Sequence, residues 1–330
     1  MTRRWGRPDA ATAAVRLAVR RALTDAAPGH LVLVACSGGA DSLALAAATA
    51  AETRGTGIRA GAVVVDHGLQ AGSTQVAGAA ATALRDLGLD PVEVVRVDVP
   101  GTADGLEAAA RSARYAALDE AAERLGAHSV LLGHTRDDQA EQVLLGLARG
   151  SGARSLAGMP ATRGRYRRPL LAVSREQCRA SAAAEGLPWW DDPMNEDPAF
   201  ARVRARRALQ DLERDLGPGV AAALARTADQ LRADADLLDA LADEATAALG
   251  QGPWDATRLL ALPHPVRTRV WRRLLLAAGA PGGQLGSRHT DACDRLLTAW
   301  HGQGAVHAPG GLRVSRSGGR VRIAPAGTVG

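Results

Sequence analysis

Lysine is missing altogether: all 40 basic residues of the 330-residue chain are arginine, against 35 acidic ones, for a formal net charge of +5. GC-rich codon usage accounts for such a bias, yet it makes every cation a planar fork suited to phosphate oxygens. The charge balance accommodates a polyanionic partner without requiring one. Cysteine is scarce. Cys36, Cys178 and Cys293 lie far apart with no Cys-x-x-Cys pair, which argues against a disulfide framework, a cysteine-rich zinc site and a paired redox motif. Aromatics make up only 3 %, so alanine, leucine and valine must fill the core. No stretch reads as a membrane span, and the start, Met1-Thr2-Arg3-Arg4-Trp5-Gly6-Arg7-Pro8, leads into no apolar signal segment. A cytoplasmic protein with no membrane partner is expected.

What is present is an alternation. Residues 31–36 (LVLVAC) form a continuous apolar run, as a strand covered on both faces requires. Similar runs stand at 60–65, 92–97 and 129–133, with helical patterns between them at 41–53, 74–87 and 105–125. The predicted fold is α/β, a doubly wound, mainly parallel sheet, whose ligands bind beyond the carboxyl ends of the strands. Residues 151–168 read as a loop, 174–186 as a helix, 189–198 as an irregular acidic segment and 199–214 as an arginine-rich helix. Gly217-Pro218-Gly219 marks a boundary, giving a catalytic domain at 1–216 and a smaller one at 217–330. The latter begins with a long helix at 220–249, where Leu224, Leu231 and Leu238 recur every seven residues and Leu241 continues the stripe. A small α/β unit follows, with helices near 255–278 and 287–301 and then short strands.

The first strand runs into Ser37-Gly38-Gly39-Ala40-Asp41-Ser42 and then a helix. Two glycines let successive amides face one concavity, and the helix N-terminus adds free N–H groups and a positive dipole end. This is a phosphate cradle, distinct from the Walker loop because no Gly-Lys-Ser/Thr ending follows. Asp41 would repel phosphate unless a cation intervenes, so it is assigned to Mg²⁺. The competing reading is a plain glycine turn with Asp as a helix cap. Asp66-His67 and Gly133-His134 end two further strands, so both histidines can face the same crevice. Arg111 and Arg114 are three residues apart and share a helix face, where they suit phosphate or simply solvent. Asp137, Asp138 and Glu141 form an acidic corner fit for a cationic substrate or a metal, or for capping their own helix. Arginines cluster at 163–168, at 202–207 and at 267–273, with Tyr166 and Trp271 interleaved. Such clusters suit an RNA backbone, or a solvated face.

These segments together resemble the PP-loop ATP pyrophosphatases and, within them, the tRNA(Ile)-lysidine synthetases. The resemblance rests on the Ser37–Ser42 loop, Asp66-His67-Gly68-Leu69, Glu107-Ala108-Ala109-Ala110-Arg111-Ser112-Ala113-Arg114-Tyr115, Gly133-His134-Thr135-Arg136-Asp137-Asp138-Gln139-Ala140-Glu141, Arg149-Gly150-Ser151-Gly152, Arg168-Pro169-Leu170-Leu171 and Asp192-Pro193-Met194-Asn195. It is strong over 30–215 and weaker in the tail, which matches the short form of the family. Ser155 stands where the family commonly has Gly. The resemblance implies an enzyme that uses ATP and Mg²⁺ to adenylate a wobble cytidine of the isoleucine tRNA with a CAU anticodon. Free L-lysine then displaces AMP. It also implies site roles: Ser37, Gly38, Gly39, Ala40, Asp41, Ser42, His67, Arg111 and Gly133 for ATP; Asp41, His134, Asp137 and Glu141 for catalysis. Asp137, Asp138 and Glu141 would receive lysine, and Asn195 and Arg202 would place the nucleotide to be modified; the arginine cluster adds Arg204, Arg206 and Arg207 to the expected tRNA contacts.

Two rivals remain at this level. A PP-loop tRNA thiolase would depend on reactive cysteines, often paired for an iron–sulfur cluster. A nucleotide-binding regulatory module without turnover would explain the loop but leave the acidic corner and arginine clusters without a purpose. Monomer and homodimer are both open.

Overall fold

The apolar run Leu31–Cys36 forms the central strand of a sheet in the computed structural model, which describes residues 8–68, 70, 72–99, 106–150 and 152–327. Leu69, Ser151 and the Glu107 side chain, all within the motifs above, lie outside the described residues. In chain order the first unit contains α1 (Ala10–Ala22), β1 (Leu31–Cys36), α2 (Ala40–Thr53), β2 (Arg59–Asp66), α3 (Ser73–Asp86), β3 (Val92–Arg96), α4 (Leu106–Arg124), β4 (Ala127–Leu132), α5 (Arg136–Ala148), the short α6 (Ala153–Leu156), β5 (Thr162–Arg163), β6 (Tyr166–Arg167), α7 (Arg175–Ala184) and α8 (Ala201–Leu216). Its six strands lie in the order β3-β2-β1-β4-β6-β5. All neighbours are parallel except β5 on β6. The order reverses direction at β1, so the crevice between the ends of β1 and β4 is where such a sheet receives ligands.

The physical reason for this sheet is burial on both faces. Val32, Val34, Val64 and Leu131 pack with α1, α2, α3 and α7 on one side, while Leu33, Val63, Val130 and Leu132 meet Leu118, Ala121 and Ala122 of α4 on the other. Strand and helix positions match the alternation read from sequence to within two residues. The loop expected at 151–168 holds more order than anticipated. Its Thr162–Arg167 hairpin extends the sheet, with Val130 opposite Tyr166 and Leu131 opposite Arg167. Composition alone hid it, because two-residue strands carry no periodicity.

Compactness divides the chain into Met1–Arg232 and Ala233–Gly330, a division inside α9 (Val220–Leu249), whereas the glycine-marked boundary lies at that helix's start. The buried seam of α9 is alanine, at Ala225, Ala228, Ala235 and Ala242, with Leu224, Leu231 and Leu238 beside it and half-buried. Leu241, expected to continue the stripe, is 42 % exposed.

The second unit adds β7 (Trp254–Asp255), α10 (Ala256–Leu260), α11 (His264–Ala277), α12 (Ser287–Thr298), β8 (Val306–Ala308), β9 (Leu312–Ser317) and β10 (Arg320–Pro325), with an antiparallel sheet ordered β7-β10-β9-β8. The single helix expected over 255–278 is two, because Pro263 cannot continue α10 and instead starts α11. No helix among the described residues is long and apolar enough to cross a membrane.

Candidate active site

The loop after β1 is shaped by hydroxyls and glycine. Gly38 has φ +82°, a conformation closed to most side chains. The Ser42 hydroxyl donates to the Gly39 carbonyl (2.9 Å) and accepts from the Ser37 amide (3.2 Å), tying the turn to the first turn of α2. Gly38 N–H points at Cys36 Sγ (3.4 Å). Helices α1, α5 and α7 all carry a side-chain cap, whereas α2 begins at Gly39 with none. The amides at its start thus have no side-chain cap, as at α3 and α8, and the glycine-turn reading with Asp41 as cap is not what the chain adopts. Gly133, at the end of β4, approaches this turn closely: a Cβ there would lie 3.3 Å from Ser42 Cα and 3.4 Å from Ser42 N. The Trp190 amide closes the far side by donating to the Gly38 carbonyl (3.0 Å).

Asp41 is the anomaly. Its Oδ1 is buried with no hydrogen-bond partner, and Oδ2 lies 3.7 Å from Arg175 Nε. Burial raises its pKa to about 6, against the opposing pull of Arg175 and with help from Asp138 and Asp137. An unpartnered, buried carboxylate oxygen beside free helix amides has the chemistry of a cation ligand. Among the described residues no group of three or more His, Cys, Asp or Glu could hold a metal by protein ligands alone. That donor set suits Mg²⁺, which keeps waters and takes one carboxylate plus phosphate oxygens.

The acidic corner has a different aspect from the one its sequence suggested. Asp138 Oδ2 accepts from Thr135 N–H (2.7 Å) and Oγ (2.9 Å) in a capping box that starts α5. Asp137 Oδ2 accepts from the Arg175 amide (2.8 Å), joining α5 to α7. Glu141 is 2 % exposed, and its Oε1 accepts from Arg175 Nη1 (3.3 Å) and Nη2 (3.2 Å) and from Arg206 Nε (2.9 Å). Arg175 Nη2 also donates to Asp138 Oδ1 (2.7 Å). Burial opposes the Arg175 charge, but Asp138, Glu141, Asp41 and Asp137 around it keep the guanidinium firmly protonated. Asp138 stays ionised below the usual range: burial alone would raise it, and Arg175 and the Thr135 amide more than offset that.

The two histidines sit in the crevice. Both have a buried, unpartnered Nδ1. His134 is held far below its ordinary pKa by burial, with Arg114, Arg168 and Arg202 adding to the effect against Asp138, so it is neutral. His67 is lowered by burial and Arg114. Asp66, by contrast, is spent on structure, accepting from Gly68 N–H (3.0 Å) and Thr74 Oγ (3.0 Å). Arg111, Arg114 and Arg168 surround Tyr115. Arg111 and Arg168 donate to its hydroxyl (3.4 and 3.3 Å), and the Arg114 guanidinium lies 5.8 Å from its ring centre. Sequence reasoning leaves Tyr115 without a role and misses Arg175 entirely.

The arginines offered for RNA divide into kinds. Arg204 is exposed but donates to the Pro198 and Ala199 carbonyls (2.7 and 2.8 Å), and Arg207 to Glu196 O (2.8 Å); both brace the segment that carries the exposed Asn195. Arg206 turns inward to Glu141, away from the surface role given to it. Arg202 is half-buried and adds to the positive field at His134. The third cluster is internal to the second unit. Arg267 is buried on Asp294 (2.6 and 3.0 Å), Arg269 pairs with Asp239 (3.0 Å), and Arg273 bonds Asp243 and the Asp239 carbonyl. Trp271 is fully buried and donates to Asp294 (3.2 Å), and the Tyr166 hydroxyl donates to Asp119 (2.8 Å), so neither ring offers a stacking face.

The PP-loop domain family matches residues 13–213, and the TilS substrate binding domain family matches residues 255–322. A tRNA(Ile)-lysidine synthase of Thermobifida fusca is 57 % identical over 319 residues, covering 96 % of this chain and 98 % of that one. Another, of Streptomyces coelicolor, is 54 % identical with 96 % and 99 % covered. The chain belongs to the tRNA(Ile)-lysidine synthase family. A further family member, from Rhodococcus opacus, is 50 % identical over 94 % of each chain. The solved U34-tRNA thiolase NcsA from Methanococcus maripaludis, with its 4Fe–4S cluster, matches with a TM-score of 0.56 at 18 % identity, over 67 % of this chain and 79 % of that one. That likeness is one of fold alone. The three cysteines of this family member are all buried. Burial raises the Cys36 and Cys178 thiols, and Cys293 to about 12, so none is poised as a nucleophile.

Proposed function

We propose that the protein ligates L-lysine to C2 of the wobble cytidine of the AUA-decoding isoleucine tRNA, in two steps at the β1–β4 crevice. ATP first adenylates the C2 oxygen with release of pyrophosphate, because the unactivated oxygen is a poor leaving group. The ε-amine of lysine then attacks C2 and expels AMP. The observation that carries this reading is the uncapped start of α2 with the unpartnered Asp41 Oδ1 beside it. These features support a phosphate cradle beside a cation position.

The chain's own groups then have definite work. The amides of residues 39–42 orient the nucleotide phosphates, and Ser37 and Ser42 hold the loop's shape. Asp41 would hold Mg²⁺, which when bound neutralises charge on the phosphates. Gly133 lets the end of β4 pack directly against the loop with no side chain between them. Arg111 and Arg114 offer positive charge where phosphate charge develops, and neutral His134 can hydrogen-bond at the reacting centre without adding charge. Asp137 and Asp138, with the buried Glu141 behind them, would receive the lysine ammonium, and Arg206 on Glu141 belongs to this half of the site. Asn195, Arg202, Arg204 and Arg207 lie on the segment that would meet the tRNA.

The decisive experiment is mass analysis of isoleucine tRNA after incubation with ATP, Mg²⁺ and lysine, alongside ATP–pyrophosphate exchange with and without tRNA. A lysine adduct on the wobble cytidine and tRNA-dependent pyrophosphate release are expected. Pyrophosphate release indifferent to tRNA, or sulfur incorporation into the tRNA, would defeat the reading.

A further inference from the structure

A carboxylate-lined site for a lysine amine contains a chemical conflict. Carboxylates attract the ammonium, but the nucleophile is the neutral amine, and nearby negative charge favours the protonated form. Four carboxylates converge here: Asp41 from α2, and Asp137, Asp138 and Glu141 from α5. Left alone they would trap lysine as an unreactive cation.

The fold already places a cation among them. The Arg175 guanidinium, at the first turn of α7, reaches Asp138 (2.7 Å), Glu141 (3.2 Å) and Asp41 (3.7 Å), and its backbone N–H holds Asp137 (2.8 Å). Four carboxylates on two elements thus meet one residue. Arg206 of α8 adds a second positive charge on Glu141 (2.9 Å). Arg179, one turn along α7, pairs with Asp191 at the surface while still lending positive field to Asp41, and His134 is neutral. The charged groups facing the corner are therefore the four carboxylates, Arg175, Arg206 and, acting more weakly on Asp41, Arg179.

We propose that Arg175 is the built-in counter-cation of this corner, a positioning residue that fixes Asp138 and Glu141 and keeps their charge from stabilising the ammonium form of the incoming amine. This rests on the reading of the protein as a lysine-ligating enzyme. Glu141 Oε1 and Asp138 Oδ1 are taken up by Arg175, so the corner retains orientation but loses much of its negative field. A cation beside a nucleophilic amine is a general means of making it reactive at neutral pH. No electron or atom is added to the reaction: the amine's proton leaves to solvent before attack, and Arg175 keeps its own.

The test compares wild type with Arg175→Met, which keeps bulk without charge, and with Arg175→Lys, which restores a charge. The lysine-dependent step is followed as a function of pH on tRNA, with pyrophosphate release in the absence of lysine measured in parallel. For Arg175→Met the lysine step should fall on the order of tenfold at about pH 7 and recover toward about pH 9, its acid limb moving up by roughly one pH unit. Arg175→Lys should restore most of the profile. S-(2-aminoethyl)cysteine, a lysine isostere with a less basic amine, should narrow the gap between Arg175→Met and wild type. Far-UV circular dichroism and melting temperature confirm folding for each variant. A pH-independent loss, equal for both amines, would make Arg175 merely structural and overturn the proposal. Failure of the wild type to attach lysine would instead refute the functional reading.

Discussion

Replacing Asp41 with asparagine should make the ligand-free protein more stable while abolishing its turnover, and the size of the gain follows from the site. The Asp41 side chain is 26 % exposed, and its carboxyl is raised from 3.8 to about 6. A rise of about two units means that ionising Asp41 in the folded protein costs about 3 kcal/mol more than in the unfolded chain. The sign is that of a raised acid: stability is fully present below the unfolded value near 3.8 and is lost as pH rises through about 6. An asparagine side chain at this position, being neutral, never incurs that loss. In chelator at about pH 8, the Asp41→Asn variant should therefore melt roughly 6–12 °C above wild type, given a few degrees per kcal/mol for a unit of this size. At about pH 5 about half of the free-energy gain should remain. Adding Mg²⁺ should narrow the difference by stabilising wild type only, through binding to the native state. Calorimetry at the two pH values, with and without Mg²⁺, checks all of this. An Asp41→Asn variant that melts at or below wild type at the higher pH, or whose gain is the same at both pH values, would refute the account of Asp41 as a partly buried, under-compensated carboxylate.

Other substitutions separate the roles of neighbouring groups. Arg206→Gln should raise the lysine KM by roughly a few-fold, by removing one of the two guanidinium groups that fix the buried Glu141, while leaving the salt dependence of tRNA binding unchanged. The reason is that Arg206 bonds Glu141 at 2.9 Å; a flattened salt slope in filter binding would return it to the RNA surface. Gly133→Ala should raise the ATP KM with a stability loss of about 1 kcal/mol, since its Cβ would press on the backbone of Ser42 at 3.3 Å; unchanged ATP kinetics would remove Gly133 from the cradle. Gly158→Ala should cost about 2–3 kcal/mol in urea unfolding. Its φ is +63°, and the new Cβ would fall 2.5 Å from the Gln139 amide oxygen that accepts from Met159 N–H (2.7 Å). Arg267→Met should destabilise the second unit by about 3–5 kcal/mol by stranding the buried Asp294; a stable variant with weakened tRNA binding would contradict the structural role given to that cluster.

How far the sequence could be read depended on whether a feature acts along the chain or across it. The strands at 31–36 and 129–133, the glycine loop and the helix at 220–249 are local patterns of burial and backbone freedom, and the structure places them where periodicity did. The acidic corner was visible as three carboxylates on one helix. Its neutralisation was not, because Arg175 lies 34 residues beyond Glu141 and reaches it only through the docking of α7 on α5. The third arginine cluster hid its partners for the same reason in reverse. A run such as Arg267–Arg273 looks like a solvent face until Asp294, Asp239 and Asp243 are brought opposite. In a chain whose every cation is arginine, local density of positive charge says little about RNA. What matters is which guanidinium groups lack a carboxylate partner.

That criterion also bears on how the two halves of the site communicate. Asp41 belongs to the phosphate loop and Glu141 to the amine corner, yet a single guanidinium touches both, at 3.7 Å and 3.2 Å. If bound Mg²⁺ and ATP neutralise Asp41, the attraction that Arg175 shares between the two sides is left to Asp138 and Glu141 alone, which takes more of their negative field from the ammonium form of lysine. When Asp41 is bare, it competes for the same cation. Occupancy of the nucleotide half should therefore weaken binding of the ammonium form of lysine, and by reciprocity lysine should weaken binding of ATP with Mg²⁺ by the same factor. Calorimetric titration of each ligand in the presence and absence of the other measures both sides. The coupling should vanish in Arg175→Met, whose side chain can join neither carboxylate. Coupling that survives that substitution would have to travel by another route, and Asp41 and Glu141 would be neighbours without being partners.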